Sequence, residues 1–371
     1  MIHKIALTIK PTLSCNMRCR HCFNGDDLNT SELINTDTVH NFLEIAAKQY
    51  NDVKVTFHGG EPTLAGFEFY KGVFQFQHYL ADKYGTVFSN NFTTNGLILD
   101  DRMIELLIEN NVLINISFDG PFNHVLRQNS DAVYSNICNA QKKGARIRIF
   151  CTISSESYAD LLQIYNWFND RNLDFKTLPI EPRGYGAKNK SLIMDPDLFV
   201  EELVKVYRHW LRDKDFRVRF YTFEEFSCLR RNTQFKPFWF NREIALNPDG
   251  NIYPFGRPND VQFCLGNPNS VSSLDECFNS PEYIKMLDIL NEQRKKFCTE
   301  CESSQICNGV ALCMSYMYVE QEELIQYSCR LSNKIFRNIL AVNDEVINDF
   351  KAGKGDGYNQ TVKKNFSIYV S

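Results

Sequence analysis

A partial, laterally open α/β barrel of six parallel strand–helix units, followed by a smaller cysteine-rich domain, is the architecture that the 371-residue sequence predicts. Three observations carry it. In the first half, short apolar strand-like runs alternate with helical patterns, a rhythm that means parallel βαβ units. Each run ends in a polar or glycine-containing cluster, which puts those clusters at the C-terminal edge, where parallel barrels build their sites. From about Phe238 the alternation stops and cysteines accumulate. Six units are too few to close a barrel that needs about eight, so one side stays open.

The elements follow in order. Ile5–Ile9 reads as the first strand, ended by Pro11, and Cys15-Asn16-Met17-Arg18-Cys19-Arg20-His21-Cys22 follows it. Thr36–Lys48 has the apolar spacing of a helix, with Thr36 or Asp37 as the expected N-cap. Val53–Phe57 is the second strand and runs into His58-Gly59-Gly60-Glu61-Pro62-Thr63. Helix Phe67–Tyr84, strand Val87–Thr93 with Thr94-Asn95-Gly96, helix Asp101–Glu109 and strand Leu113–Phe118 with Asp119-Gly120-Pro121 come next. Helix Asp131–Lys143, strand Arg146–Ile153, helix Asp160–Arg171 and strand Phe175–Pro179 complete the six units, and a long helix from Pro196 to Asp213 leads out.

Beyond it, Asn247-Pro248-Asp249-Gly250 between Ile244–Leu246 and Asn251–Tyr253 is a hairpin signal. A short helix, Pro281–Glu292, precedes Cys298, Cys301, Cys307, Cys313 and Cys329, and a helical pattern resumes after the last. The expected division is a barrel over 1–215, a linker over 216–240, a cysteine-rich domain over 241–345 and a flexible tail over 346–371.

Composition bounds the function. Hydrophobic residues make up 43% and aromatics 13%, enough for a full core. A net charge of −4 argues against nucleic acid as the partner, and no run is long enough to span a membrane. There are 13 cysteines and no export signal, so cluster or metal ligation in a reducing cytoplasm is a better reading than disulfides.

Cys15, Cys19 and Cys22 have a spacing that lets three thiolates converge on one inorganic centre from a single loop. Thiolates favour zinc or iron–sulfur centres. Three ligands leave an iron of a four-iron cluster uncovered, and an open position is what catalytic sites keep. The alternative is a zinc site with a fourth ligand elsewhere, which would suit a non-catalytic interaction protein.

CxxxCxxC after the first strand, Gly-Gly-Glu-Pro after the second, Thr94-Asn95-Gly96 after the third and Ser117-Phe118-Asp119-Gly120 after the fourth together resemble the radical S-adenosylmethionine (SAM) superfamily. The strings His58–Leu64 and Asn247–Pro254 and the late cysteines resemble its branch with a C-terminal SPASM or twitch domain, which holds anaerobic sulfatase-maturating enzymes and peptide maturases. The resemblance implies a TIM-like partial (β/α)6 barrel with an appended iron–sulfur domain. It also implies a [4Fe-4S] cluster on Cys15, Cys19 and Cys22, with SAM chelating the fourth iron.

Site residues follow from the same resemblance. Gly59 and Gly60 would bring backbone close to the methionine moiety, and Glu61 would offer a carboxylate to its ammonium. Thr94, Asn95 and Ser117 would reach the ligand's polar groups, with Arg127 facing its carboxylate; a solvated surface arginine is the bland alternative. His21 stands where the family usually has an aromatic near adenine, a flat ring for another. Cys298, Cys301, Cys307 and Cys329 would bind one auxiliary four-iron cluster, structural zinc being the alternative. A second auxiliary cluster is disfavoured: Phe255 fills its usual cysteine position, and five residues rather than three separate Cys307 from Cys313. A rearranged set of Cys228, Cys264, Cys277 and Cys313 is the way it would be rescued. Cys138 and Cys151 read as core residues.

The resemblance implies a cytoplasmic enzyme that generates a 5′-deoxyadenosyl radical and abstracts hydrogen from a peptide, for which an open-sided barrel is suited. An intrapeptide crosslink is the preferred outcome. Epimerisation is an alternative that needs a thiol hydrogen donor, for which Cys228, Cys264, Cys277 and Cys313 are candidates. Oxidation of the sulfatase-maturating type is another, disfavoured because Gly256 and Arg257 stand where those relatives carry an aspartate. RNA or a small metabolite is a further alternative substrate. A flavodoxin or ferredoxin would supply electrons. Only 14 residues precede Cys15, so leader recognition is expected to use the open side, the C-terminal domain or a discrete leader-binding protein.

Overall fold

The computed structural model describes residues 3–230, 242–255, 260–312, 315–317 and 321–369. The expected strands form one twisted sheet. β1 (Lys4–Ile9), β2 (Asp52–Phe57), β3 (Val87–Thr94), β4 (Leu113–Ser117), β5 (Ile147–Ile153) and β6 (Phe175–Pro179) are all parallel. They lie in the order β6-β5-β4-β3-β2-β1, so each helical crossover steps to the adjacent strand. Val53, Val55 and Phe57 are fully buried on one face of β2, the pattern of a sheet covered by helices.

The helices use the caps their sequences offer, with one difference from expectation. The helix Thr36–Gln49 is capped by Asn35, one residue earlier than expected, whose side chain accepts from the Asp37 N–H. The helix Phe67–Tyr84 ends at Gly85 in the left-handed region, φ 72°, where glycine meets no Cβ penalty. Asp195 accepts from the N–H groups of Asp197 and Leu198 and starts Pro196–Arg212, with proline at its first turn.

The hairpin strands, β7 (Glu243–Leu246) and β8 (Ile252–Pro254), extend the same sheet. β7 pairs parallel with β1, and β8 lies antiparallel at the outer edge. Ile244, Ala245 and Leu246 are fully buried in consequence.

Two segments differ from the sequence reading. The stretch expected as a linker over 216–240 is, as far as residue 230, packed structure. Phe220 and Phe223 are fully buried, and Phe220 bridges to Phe175 of β6. The Phe220 ring stacks with Phe175 and Tyr165, Phe175 stacks with Phe168, and Phe223 packs tilted against Phe220, so an aromatic layer covers the open edge of the sheet near the start of β6. The stretch expected as a flexible tail over 346–371 is helical to Lys351 and again at Gln360–Phe366. It docks because Val362 and Phe366 are fully buried and because Asn359 donates through Nδ2 to the Trp210 carbonyl, at 2.6 Å.

The helix Glu322–Lys351 is anchored to the barrel by buried Asn343. Its Oδ1 accepts from Tyr207 Oη at 2.8 Å, and its Nδ2 donates to the carbonyls of Phe226 and Leu229. Cys151 is buried as expected, but Cys138 is exposed, on the outer face of its helix. No helix among the described residues is long and apolar enough to cross a membrane.

Candidate active site

The C-terminal ends of the six parallel strands surround a cavity of about 230 Å³. It is lined by Cys15, Cys19 and Cys22, by Gly59 and Gly60, by Thr94 and Asn95, by Ser117 and Arg127, and by His21. These positions lie far apart in the chain and meet because every crossover returns to the same edge of the sheet. On the β6 side the wall is made by Leu178, Pro179, Ile180 and Glu181.

The cysteine loop is locked to its neighbours. Asn24 donates through Nδ2 to the Gly59 carbonyl at 3.2 Å, and the N–H groups of Gly60 and Glu61 donate to the carbonyls of Thr12 and Ser14. This packing explains the glycines differently from the expectation. Gly59 has φ 120°, and a Cβ there would lie 2.2 Å from the Thr12 carbonyl oxygen. A Cβ at Gly60 would lie 2.2 Å from the carbonyl oxygens of both Leu13 and Ser14. The pair is therefore required where the two loops touch, in addition to lining the cavity.

Gly60→Ala is expected to lower stability by about 3 kcal/mol or more, because the obstacles are backbone atoms that cannot swing away. Gly72→Ala, on a helix with nothing within 4 Å of the new methyl, is expected to be neutral or stabilising by up to about 1 kcal/mol. Chemical-denaturation midpoints of the two variants check the contrast.

Glu61 corrects the reading of a ligand-facing carboxylate. It is fully buried and is not among the cavity-lining residues. Its Oε1 accepts from Thr63 N at 3.0 Å, Thr63 Oγ1 at 2.7 Å and Thr94 Oγ1 at 2.7 Å, and its Oε2 accepts from Asn95 N at 2.7 Å. Burial pushes its carboxyl up, and these donors pull the other way. Glu61 thus ties the turn after β2 to the end of β3. Thr94 is consumed in the same network, since its hydroxyl also accepts from Gly96 N.

Arg127 is likewise committed, and it is no solvated surface arginine. Its Nε donates to Asp119 Oδ2 at 2.8 Å and its Nη2 to Thr152 Oγ1 at 2.9 Å, with the side chains of Arg127 and Asp119 only 9% and 2% exposed. Asp119 Oδ1 accepts from Thr152 N at 2.6 Å. Sequence reasoning quoted Asp119 within a motif without giving it a role and did not single out Thr152. A buried cation needs a buried anion, and that was the available signal. His21 lies beside this group, its Nε2 3.4 Å from Thr152 Oγ1, while its Nδ1 is buried without a partner. Burial and the Arg127 charge hold the imidazole well below its ordinary pKa, so it is neutral.

The donor set suits an iron–sulfur cluster. Burial pushes the Cys15 thiol up to about 11, and it raises Cys19 and Cys22 as well. Three half-buried thiols on one cavity ionise readily only against a cationic centre. The second cysteine set also converges. Cys298, Cys301 and Cys307 all act on Cys329, whose thiol is pushed up to about 12, chiefly by burial. Backbone N–H groups of Gly309, Val310 and Ala311 point at the Cys307 sulfur. Among the described residues, no group of three or more His, Cys, Asp or Glu side chains is placed to hold a metal ion.

Alanine at Cys298, Cys301, Cys307 and Cys329 together is expected to take the iron content from about eight to about four per chain. Iron analysis after anaerobic reconstitution checks it. The remaining candidates do not join either set. Cys228 is exposed, Cys264 half-buried and Cys277 buried, and none of the three lines the cavity. Cys313, Gly256 and Arg257 lie outside the described residues.

Comparison with known proteins agrees with this geometry. Residues 9–168 match the radical SAM superfamily. A cysteine-type anaerobic sulfatase-maturating enzyme of Clostridium perfringens is 25% identical over 82% of this chain and 88% of its own. A serine-type enzyme of Klebsiella aerogenes is 23% identical over 80% of this chain and 76% of its own. Among solved structures, anSMEcpe with bound AdoMet and Cp18Cys peptide superposes with a TM-score of 0.72 at 18% identity, over 92% of this chain and 99% of that one. Streptococcus suis SuiB bound to precursor peptide SuiA gives 0.56 at 15% identity, over 84% and 71%. At these identities the solved structures speak for the fold. With the strand order, the cysteine loop and the sequence match in agreement, the chain carries a radical SAM domain over residues 9–168 and is an enzyme with anaerobic sulfatase-maturating enzymes among its homologues.

Proposed function

We propose that the chain modifies a peptide by hydrogen abstraction at the cavity, and that an intrapeptide crosslink is its product. The observation that carries the site is the convergence of Cys15, Cys19 and Cys22 with Gly59, Gly60 and Ser117 on one cavity. Bound there, a [4Fe-4S] cluster with SAM supplies a carbon-centred radical that can take hydrogen from an unactivated C–H bond. The chain's own residues position and protect. The glycine turn brings backbone to the cavity wall, and His21 offers a neutral flat ring beside it. The side chains of Phe150, Leu178 and Ile180 form an apolar wall that keeps water from the reacting carbon. Site selectivity then comes from holding one C–H of the substrate within about 3–3.5 Å of the reacting atom.

A peptide substrate is supported by the relatives, whose names and bound peptides point to protein and precursor-peptide substrates. A flavodoxin- or ferredoxin-type reductant and a discrete leader-binding protein are the partners proposed with it. The auxiliary cluster on Cys298, Cys301, Cys307 and Cys329 would be the acceptor for the electron released during crosslinking.

One second reading has a specific observation behind it: likeness to sulfatase-maturating enzymes over most of both chains favours oxidation of a side chain to an aldehyde. Epimerisation is weaker, because none of Cys228, Cys264 and Cys277 reaches the cavity to return a hydrogen. Mass spectrometry of a peptide co-expressed with the enzyme in light and heavy water separates the three. A crosslink removes two hydrogens and leaves nothing for a hydrazide probe to capture. An aldehyde is captured, and an epimer keeps its mass in light water but gains deuterium in heavy water.

A further inference from the structure

A side-chain N–H donor faces a cysteine sulfur at the end of β3, a buried guanidinium beyond β4 shares the cavity with another, and a buried carboxylate holds each group in place. At the end of β3, Asn95 Nδ2 lies 3.7 Å from Cys15 Sγ. Its orientation is fixed, because its Oδ1 accepts from Leu97 N at 2.9 Å, which leaves the amide nitrogen to face Asn16 and Cys15. The residue's own N–H is held by Glu61 Oε2. Beyond β4, the Arg127 guanidinium lines the same cavity as Cys19 and acts on its thiol as a nearby positive charge, while Asp119 and Thr152 grip its Nε and Nη2.

Backbone N–H groups of Asn24 and Gly25 face the Cys22 sulfur. Hydrogen bonds to cluster sulfurs and nearby positive charge both favour the reduced, more negative state and raise the reduction potential. Asp119 offsets part of the Arg127 charge, and it meets the guanidinium on Nε.

We propose that Asn95 and Arg127 are positioning residues that act through Cys15 and Cys19 to raise the potential of the catalytic cluster, bringing it within reach of a protein reductant, and that neither residue binds SAM. This rests on the reading that Cys15, Cys19 and Cys22 hold the cluster. Glu61 and Asp119 are then its outer supports, one for each group.

The test is potentiometry followed by electron paramagnetic resonance, read on the cluster signal that changes when SAM is added. Asn95→Leu removes one donor. Arg127→Gln combined with Asp119→Asn removes the guanidinium without stranding a buried carboxylate, and Arg127→Lys keeps the charge but loses the fork. Iron content and equilibrium binding of SAM are measured on each variant. The expected result is a full iron complement, SAM affinity within about twofold of the parent, and a midpoint shifted to more negative potential. The shift should be smaller for Arg127→Lys than for the paired variant. An unchanged midpoint in Asn95→Leu and in the arginine variants overturns the proposal. So does a tenfold or greater loss of SAM affinity with the midpoint intact, which would make Arg127 a ligand residue. Should the paired variant fail to hold iron, Asn95→Leu and Arg127→Lys decide it by the same criteria. A parent protein with no SAM-responsive cluster signal would instead refute the reading beneath, and is distinguishable for that reason.

Discussion

Protein with Cys15, Cys19 and Cys22 all replaced by alanine is expected to cleave no SAM above background and to keep about half of its iron, about four per chain. It is also expected to keep its fold. The three thiols are half-buried and line a cavity, so shortening them removes little packed surface. Sheet stability at this point rests on Leu7, Ile9, Val55 and Phe57, all 0–1% exposed, which the substitutions do not touch. Far-ultraviolet circular dichroism should therefore overlay that of the parent. Activity has no such reserve, because these three thiolates are what would hold the group that generates the radical. Single substitutions are expected to be nearly as severe, since a cluster held by two thiolates is lost on purification. Full SAM cleavage by the triple variant would refute the assignment of the loop. Tightly bound zinc in the parent with no iron would do the same.

The barrel was legible because its strands are short, carry buried apolar residues on the covered face, and alternate with helical patterns between turn residues. Ile244-Ala245-Leu246 is wholly apolar, which suits a strand that pairs with β1 as well as with its hairpin partner; the Asn-Pro-Asp-Gly turn announced the hairpin but not the pairing with β1. Phe216, Phe220, Phe223 and Phe226 recur at helical spacing, an apolar stripe that a linker would not need. The tail misled for another reason: Lys351–Gly357 is polar and glycine-rich, and the two side chains that dock its last helix, Val362 and Phe366, lie beyond it. At the site, residue identity announced the thiols but not which polar groups look inward. A sequence cannot distinguish a carboxylate that meets a ligand from one that meets four protein donors. That distinction depends on the turn geometry that folds Thr63 back onto Glu61 and on β3 lying beside β2.

That distinction has a measurable consequence at Glu61. Glu61→Ala is expected to destabilise the protein by about 3–5 kcal/mol, because it strands the N–H groups of Thr63 and Asn95 and the hydroxyls of Thr63 and Thr94 in the interior. Glu61→Gln is expected to cost less, about 2 kcal/mol. Its oxygen can still serve the three donors on Oε1, but its amide must meet the Asn95 N–H donor to donor. Denaturant midpoints under anaerobic conditions should therefore fall in the order parent, Gln, Ala. A ligand-facing carboxylate makes the opposite prediction, in which both variants keep parental stability and lose SAM affinity by tenfold or more. Burial decides in favour of the first outcome. A side chain that is fully buried and already saturated by internal donors has no face left to offer a ligand, so its removal is felt first by the two loops it joins.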